Sequence, residues 1–149
     1  AGSGAQEPGL RNRIAAKKVE RVGFLGFLNQ SQLPAIYAAA DVFVLPAEIE
    51  AGGLAGNEVM AAGLPVVVSD QVGAAVDLVS GKGTGIVFPC GDIAQLATAL
   101  ATILGDAAGR QAMAARAREL MRDWDIARTA EAMISAGSKV RQRTGETLK

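Results

Sequence analysis

The sequence has no histidine, a single cysteine and few aromatic residues, only 4% of its 149 positions. One cysteine, Cys90, cannot form a disulfide within the chain. The absence of histidine excludes an imidazole of this chain as a catalytic base. No uninterrupted apolar run approaches the roughly 18 residues of a membrane span. These absences favour a soluble domain in a reducing compartment, so we expect a cytoplasmic location.

Basic residues are scarce in the middle of the chain. Between Val22 and Gly109 the only base is Lys82, which stands beside eight acids and leaves a net charge of −7. Over the whole chain the charges balance, so composition gives no reason to expect a nucleic-acid partner. Half of the residues are hydrophobic and 18 are glycine, a composition typical of a globular protein.

Short apolar runs alternate with segments of helical periodicity. The runs VGFLGF, DVFVLP, LPVVVSD and TGIVFP predict strands, and helices are predicted over residues 7–18, 31–40, 54–62, 93–104, 107–122 and 124–140. The runs are continuously apolar, as expected when helices cover both faces of a parallel sheet. We therefore predict an α/β, Rossmann-like domain over residues 1–141 with helices on both faces of its sheet, followed by a polar tail over residues 142–149.

The chain begins with AGSG, a glycine turn that normally follows a strand, yet no strand precedes it. We therefore expect the sheet to lack its first strands. An unpaired sheet edge would allow two copies of the chain to associate through it. Four arginines at helical spacing near the C-terminus predict a solvated basic face: Arg110, Arg116, Arg118 and Arg122. Contact of this face with a partner domain or with an anionic membrane surface is the less favoured alternative.

Two glutamates flank a glycine pair after the second predicted strand, where open α/β sheets bind their ligands. Gly52 and Gly53 allow close approach of a ligand, and Leu54 begins a helix whose free N–H groups favour phosphate. Glu58 lies about 6 Å further along that helix. Carboxylates accept hydrogen bonds from hydroxyls, so the spacing suits a nucleotide sugar. A surface salt bridge for each glutamate and a plain turn for the glycines are the structural alternatives.

The stretch from Glu50 to Glu58, followed by MAAGLPVV, resembles the donor-binding domain of retaining GT-B glycosyltransferases, a group that includes sucrose, glycogen and mannosyl transferases. GFLGFL, LPAIYAAADVFVLP, VGAAVDLV, GTGIVFP and DIAQLATAL resemble family segments in the same order. The chain departs from the pattern at Gly52, where an aromatic residue is common. The resemblance implies the C-terminal half of a GT-B fold.

In that family a sugar passes from a nucleoside diphosphate sugar to an acceptor with retention, without a bound metal or cofactor. The resemblance implies that Glu50 is catalytic and holds the transferred sugar, and that Glu58 binds the ribose hydroxyls. It places the remaining donor-binding residues in three groups: the amides of Gly52, Gly53 and Leu54 at the sugar and diphosphate, Gly26, Phe27 and Leu28 against the base, and Gly2 and Gly4 along the cleft.

The resemblance also implies parts that this sequence does not contain. The family's acceptor-binding domain and the arginine and lysine that neutralise the diphosphate precede the matching region. We therefore expect this chain alone to transfer no sugar and to bind nucleotide weakly. Peripheral membrane contact of the parent enzyme stays open. The alternatives are a nucleotide-sugar epimerase or a phosphorylase of the same fold, and a non-catalytic interaction domain.

Overall fold

The computed structural model describes residues 1–124 and 126–144. Internal contacts divide the chain into two compact units, unit 1 (Ala1–Ala39) and unit 2 (Ala40–Lys149).

Unit 1 contains two helices, α1 (Glu7–Ala16) and α2 (Leu33–Ala38), each with a proline in its first turn. A proline is tolerated there because the first amides of a helix have no partner within it. The predicted strand over residues 22–27 is wrong, since this run is neither helix nor strand. Gly26 has a φ of +65°, which breaks an extended chain, and Phe27 is 78% exposed.

Unit 2 contains a parallel sheet of three strands, β1 (Phe43–Leu45), β2 (Val66–Ser69) and β3 (Gly85–Phe88), in that order. All four residues of the central strand β2 are buried. Successive side chains of a strand point to opposite faces, so both faces of the sheet are covered. The predicted Rossmann-like α/β class is therefore confirmed.

Five helices complete unit 2 among the described residues: α3 (Leu54–Ala61), α4 (Ala75–Leu78), α5 (Ile93–Gly105), α6 (Ala107–Met121) and α7 (Ile126–Thr144). Helix α5 packs on β2 and β3, where Val67, Phe88, Ala99 and Ile103 form a buried core cluster. Helix α3 packs on β2 and on α6. The sheet and α6 thus hold the helix that carries Glu58.

The predicted helix ends are mostly confirmed, and the exception lies at the C-terminus. Helix α7 continues to Thr144, so residues 142–144 of the predicted polar tail are helical. The other residues of that tail, 145–149, lie outside the described residues. Asp92 caps α5 as predicted, because its carboxylate accepts the Gln95 amide at 2.9 Å.

Two arginines of α6 bind neighbouring elements. The prediction of a solvated face is wrong for Arg110, whereas Arg118 is exposed as predicted. The side chain of Arg110 is 24% exposed, pairs with Asp41 at 3.4 Å and donates to the Ile103 carbonyl at the end of α5. Arg118 donates to the Ala62 carbonyl just after α3, at 3.2 Å. These contacts tie α6 to the ends of the helices it packs against.

Asp106 links α5 to α6 and gives a test of helix capping. Its side chain accepts the Gly109 amide at 2.9 Å and so caps the N-terminus of α6. We expect Asp106→Ala to lower the free energy of unfolding by about 1 kcal/mol, measured by urea titration. Asp106→Asn, which keeps an oxygen acceptor, should lose much less. An equal loss in both variants would show that the cap is not the cause.

Candidate functional site

The loop over residues 46–53 leaves the carboxyl end of β1 and leads into α3, where a parallel sheet of this class binds its ligands. Gly53 is the N-cap residue of α3, with φ +62° and ψ +34°. This left-handed conformation strains any residue that carries a Cβ, which explains the glycine. The candidate site of unit 2 is therefore built on a turn whose shape depends on Gly53.

Glu50 lies in that loop with its side chain fixed by the turn. Its Oε1 accepts the Gly53 amide at 2.9 Å and the Gly52 amide at 3.2 Å. The hydrogen bond from Gly53, followed by that from Gly52, lowers the pKa of Glu50 below its ordinary value of 4.5. These two hydrogen bonds therefore stabilise the folded chain at pH values above the ordinary pKa of Glu50. Their stabilising effect is lost as the pH falls through its lowered pKa.

This arrangement differs in one respect from the predicted one. The amides of Gly52 and Gly53 donate to Glu50, whereas the family resemblance implied that they bind a ligand. The next two amides, of Leu54 and Ala55, make no hydrogen bond within the described part of the chain. They point out of the N-terminus of α3, which favours an anion. Leu54 is 76% exposed, so this end of the helix is accessible.

Glu58 lies on α3, four residues after Leu54, and is exposed. The structure thus brings Glu50, the glycine pair, the first amides of α3 and Glu58 together on one loop and one helix. Glu50 precedes the start of α3 in the chain, and Glu58 follows it by about one turn. The individual ligand contacts of these residues stay predictions.

Further contacts hold the Glu50 loop against the segment that follows β2. Gly73 donates its amide to the Glu50 carbonyl at 2.8 Å, and Glu50 forms an isolated parallel bridge with Val72. A Cβ on Gly73 would lie 2.4 Å from the Ala51 carbonyl oxygen, so only glycine fits. The Ser69 hydroxyl donates to the Ala47 carbonyl at 2.5 Å. Sequence reasoning missed both Ser69 and Gly73.

The predicted base-binding residues lie in unit 1. Gly2 donates its amide to the Gly26 carbonyl at 2.7 Å, which joins the N-terminal glycine turn to the segment containing Phe27 and Leu28. A cavity of about 420 Å³ is lined by this turn, including Gly2 and Gly4, by the start of α1 and by residues 23–25. The structure therefore brings the two glycine segments of unit 1 together beside a cavity.

A cation lies near this cavity. The Arg11 guanidinium is 4.1 Å from the centre of the Phe24 ring and pairs with Glu7 at 2.7 Å. Both Glu7 and Phe24 line the cavity. The pairing with Glu7 offsets the positive charge of Arg11 there.

Among residues 1–124 and 126–144, no group of three or more histidine, cysteine, aspartate or glutamate side chains could hold a metal ion. None of the helices described is both long enough and apolar enough to cross a bilayer.

Comparison with known proteins decides the family. The profile described as glycosyl transferases group 1 matches residues 1–120, most of the chain. The chain belongs to the group 1 glycosyl transferases. This confirms the resemblance inferred from the segment between Glu50 and Val67, which lies inside the matched region.

Curated relatives of this glycosyl transferase chain include enzymes of polysaccharide and lipid synthesis. A glycogen synthase of Mycobacterium tuberculosis is 34% identical over 147 residues, which are 96% of this chain and 35% of the relative. The sulfoquinovosyl transferase SQD2 of Arabidopsis thaliana is 39% identical over 112 residues, 71% of this chain and 22% of the relative. The chain therefore spans about a third or less of these relatives.

A solved structure gives the same picture for the fold. The sucrose-phosphate synthase of Thermosynechococcus elongatus matches with a TM-score of 0.77 and 30% identity, over 97% of this chain and 36% of that one. This glycosyl transferase chain therefore has the fold of part of a GT-B enzyme, as predicted.

Proposed function

We propose that this chain binds the donor of a retaining glycosyltransferase, a nucleoside diphosphate sugar. The observation that carries the proposal is the placement of Glu50 by the amides of Gly52 and Gly53 at the start of α3. Family membership supports a transferase, and the relatives named above include a glycogen synthase and a sucrose-phosphate synthase.

In this proposal the two carboxylates bind opposite ends of one ligand. Oε1 of Glu50 already holds two amides, which leaves Oε2 to accept a hydroxyl of the transferred sugar. The amides of Leu54 and Ala55 bind the diphosphate at the N-terminus of α3, together with any amide that Glu50 releases. Glu58 accepts the ribose hydroxyls one turn further along the helix.

Unit 1, taken by itself, contains the candidate site for a nucleobase. The lining of its cavity includes Gly2 and Gly4, whose polar groups are all main chain, and the apolar residues Leu10 and Leu25. A nucleobase has a flat apolar face and a polar edge, which suits such a lining. Gly26, Phe27 and Leu28 continue this segment and are proposed to contact the base.

Charge explains why we propose weak binding by this chain alone. The stretch between Val22 and Gly109 has a net charge of −7, and a departing diphosphate needs cations to stabilise it. The acceptor-binding part and those cations are proposed to lie in a longer enzyme to which this chain belongs. Retention at the anomeric carbon is part of the same proposal.

A ligand screen by thermal denaturation tests the proposal. We expect at least one nucleoside diphosphate sugar to raise the melting temperature of the chain at millimolar concentration, more than the matching diphosphate and far more than the free sugar. Glu58→Ala should abolish that rise, whereas Glu119→Ala, which removes an exposed acid of α6, should retain it. Equal protection by every anion, including inorganic phosphate, would contradict donor binding.

A further inference from the structure

Ser69 is the last residue of β2 and is fully buried, although it carries a hydroxyl. A buried hydroxyl costs free energy unless it is hydrogen-bonded. The Ser69 Oγ meets this requirement by donating to the Ala47 carbonyl at 2.5 Å, across 22 residues of sequence. The bond joins the carboxyl end of the central strand to the first part of the loop that carries Glu50.

The Ala47 carbonyl receives a second donor from the neighbouring strand end. The Sγ of Cys90, two residues after β3, lies 3.7 Å from the same oxygen. The Cys90 amide in turn donates to Asp70 at 3.0 Å, next to Ser69. The ends of all three strands therefore meet at Ala47, three residues before Glu50.

A second attachment lies on the far side of Ala47. Gly73 donates to the Glu50 carbonyl and Glu50 donates to the Gln71 carbonyl, so the main chain of Glu50 is held on both sides. The loop is thus fixed at Ala47 and again at Glu50, and the turn over Gly52 and Gly53 follows directly. Loss of the Ser69 bond would leave the loop to the weaker Cys90 donor and to the attachments at Glu50, which would loosen the turn whose amides orient the carboxylate.

We infer that Ser69 is a positioning residue for Glu50, acting through the Ala47 carbonyl. The importance of this role for sugar transfer rests on the proposed function, whereas the role itself is a property of the free chain. Ser69 touches no ligand in this account. It fixes the start of the loop so that Glu50 Oε1 stays on the two glycine amides.

Ser69→Ala tests this inference by removing the hydroxyl while keeping the strand. Two NMR readouts report on Glu50: the pKa of its carboxyl group, from carbon shifts, and hydrogen exchange of the Gly53 amide. In Ser69→Ala we expect the pKa to rise toward its ordinary value and Gly53 exchange to quicken roughly fivefold. Ser69→Thr keeps a hydroxyl at this position, so both readouts should stay closer to those of the wild type.

Thr84 supplies a matched control. It is also buried, and its Oγ1 donates to the Leu78 carbonyl at 2.6 Å, away from the Glu50 loop. Thr84→Val should lower stability but leave the Glu50 pKa and Gly53 exchange unchanged. If Ser69→Ala does not fold, Ser69→Cys gives the same comparison with a weaker donor.

The inference is overturned if the Ser69 variants lose stability as Thr84→Val does while both Glu50 readouts stay at wild-type values. Neither readout requires a ligand. Failure of every nucleotide sugar to bind would therefore contradict the proposed function and leave the positioning role standing.

Discussion

Glu58→Ala is expected to weaken binding of a nucleoside diphosphate sugar about 10- to 100-fold, because hydrogen bonds to a carboxylate are stronger than neutral ones. The direction of the effect is informative. Removing an acid near a diphosphate lowers charge repulsion, so a purely electrostatic role for Glu58 would tighten binding. Weaker binding in Glu58→Ala therefore indicates that its carboxylate accepts hydrogen bonds from the ligand.

The ligand can be changed to locate that hydrogen bond. A donor with 2′-deoxyribose should bind the wild type less well than the ribose form, and Glu58→Ala should bind both forms alike. Ligand-induced NMR shifts, measured at a fixed ligand concentration below saturation, give the ratio of the two affinities even where binding is weak. Glu119→Ala removes the same charge from α6 and should change neither affinity. A ribose preference that survives in Glu58→Ala would contradict the ribose assignment.

Glu50→Ala is expected to remove the part of the affinity that comes from the sugar. In the wild type the nucleotide sugar should bind more tightly than the matching nucleoside diphosphate, by about 10- to 100-fold if the carboxylate accepts a sugar hydroxyl. In Glu50→Ala the two ligands should bind alike. Glu48→Ala, which removes an exposed acid of the same loop, should keep the difference.

Replacing Glu50 with glutamine separates its two proposed roles, which are to hold the glycine amides and to bind the sugar. A glutamine oxygen can still accept the amides of Gly52 and Gly53, so Glu50→Gln keeps the turn but loses the charge. We expect Glu50→Gln to retain part of the preference for the sugar, and Glu50→Ala to retain none. A sugar preference unchanged in both variants would contradict the assignment of Glu50 to the transferred sugar.

The sheet of unit 2 was predictable because its strands are continuous apolar runs separated by helical periodicity. Such a run can be predicted to be a strand without knowing its neighbours, because a strand buried on both faces of a sheet is apolar along its whole length. VGFLGF has the same apolar character but forms no strand. Strand formation needs a hydrogen-bonded neighbour, and composition does not report one. The warning available in the sequence was the pair of glycines within the run, Gly23 and Gly26, of which Gly26 has a positive φ in the structure.

The sequence named candidate site residues, whose ligand contacts stay predictions, but it could not show the hydrogen bonds among them. Glutamates and glycines in the order Glu50, Gly52, Gly53 and Glu58 indicated a ligand loop, and the family match covers all four. The hydrogen bonds from the two glycine amides to Glu50 depend on the conformation of its side chain, which residue spacing does not encode. Ser69 was missed because a small polar residue at the end of a buried strand resembles an ordinary strand terminus.

The basic face of α6 shows the same limit. Helical spacing correctly placed Arg110, Arg116 and Arg118 on one helix, with Arg122 at its C-cap, but could not show which of them meet another element. Arg118 reaches the Ala62 carbonyl, 56 residues away in sequence, and Arg110 reaches the end of α5. Such contacts follow from how helices pack, so they become visible only in three dimensions.

The most direct test of the account is an NMR titration of the nitrogen-labelled chain with a nucleoside diphosphate sugar. We predict weak binding in the millimolar range, with the largest amide shifts in unit 2 at Gly52, Gly53, Leu54 and Glu58. The matching nucleoside diphosphate should cause smaller amide shifts near Glu50 than the nucleotide sugar does. Micromolar binding would contradict the dependence on cations outside this chain. Unchanged amides over residues 50–58, at ligand concentrations that shift other parts of the protein, would contradict the proposed donor site itself.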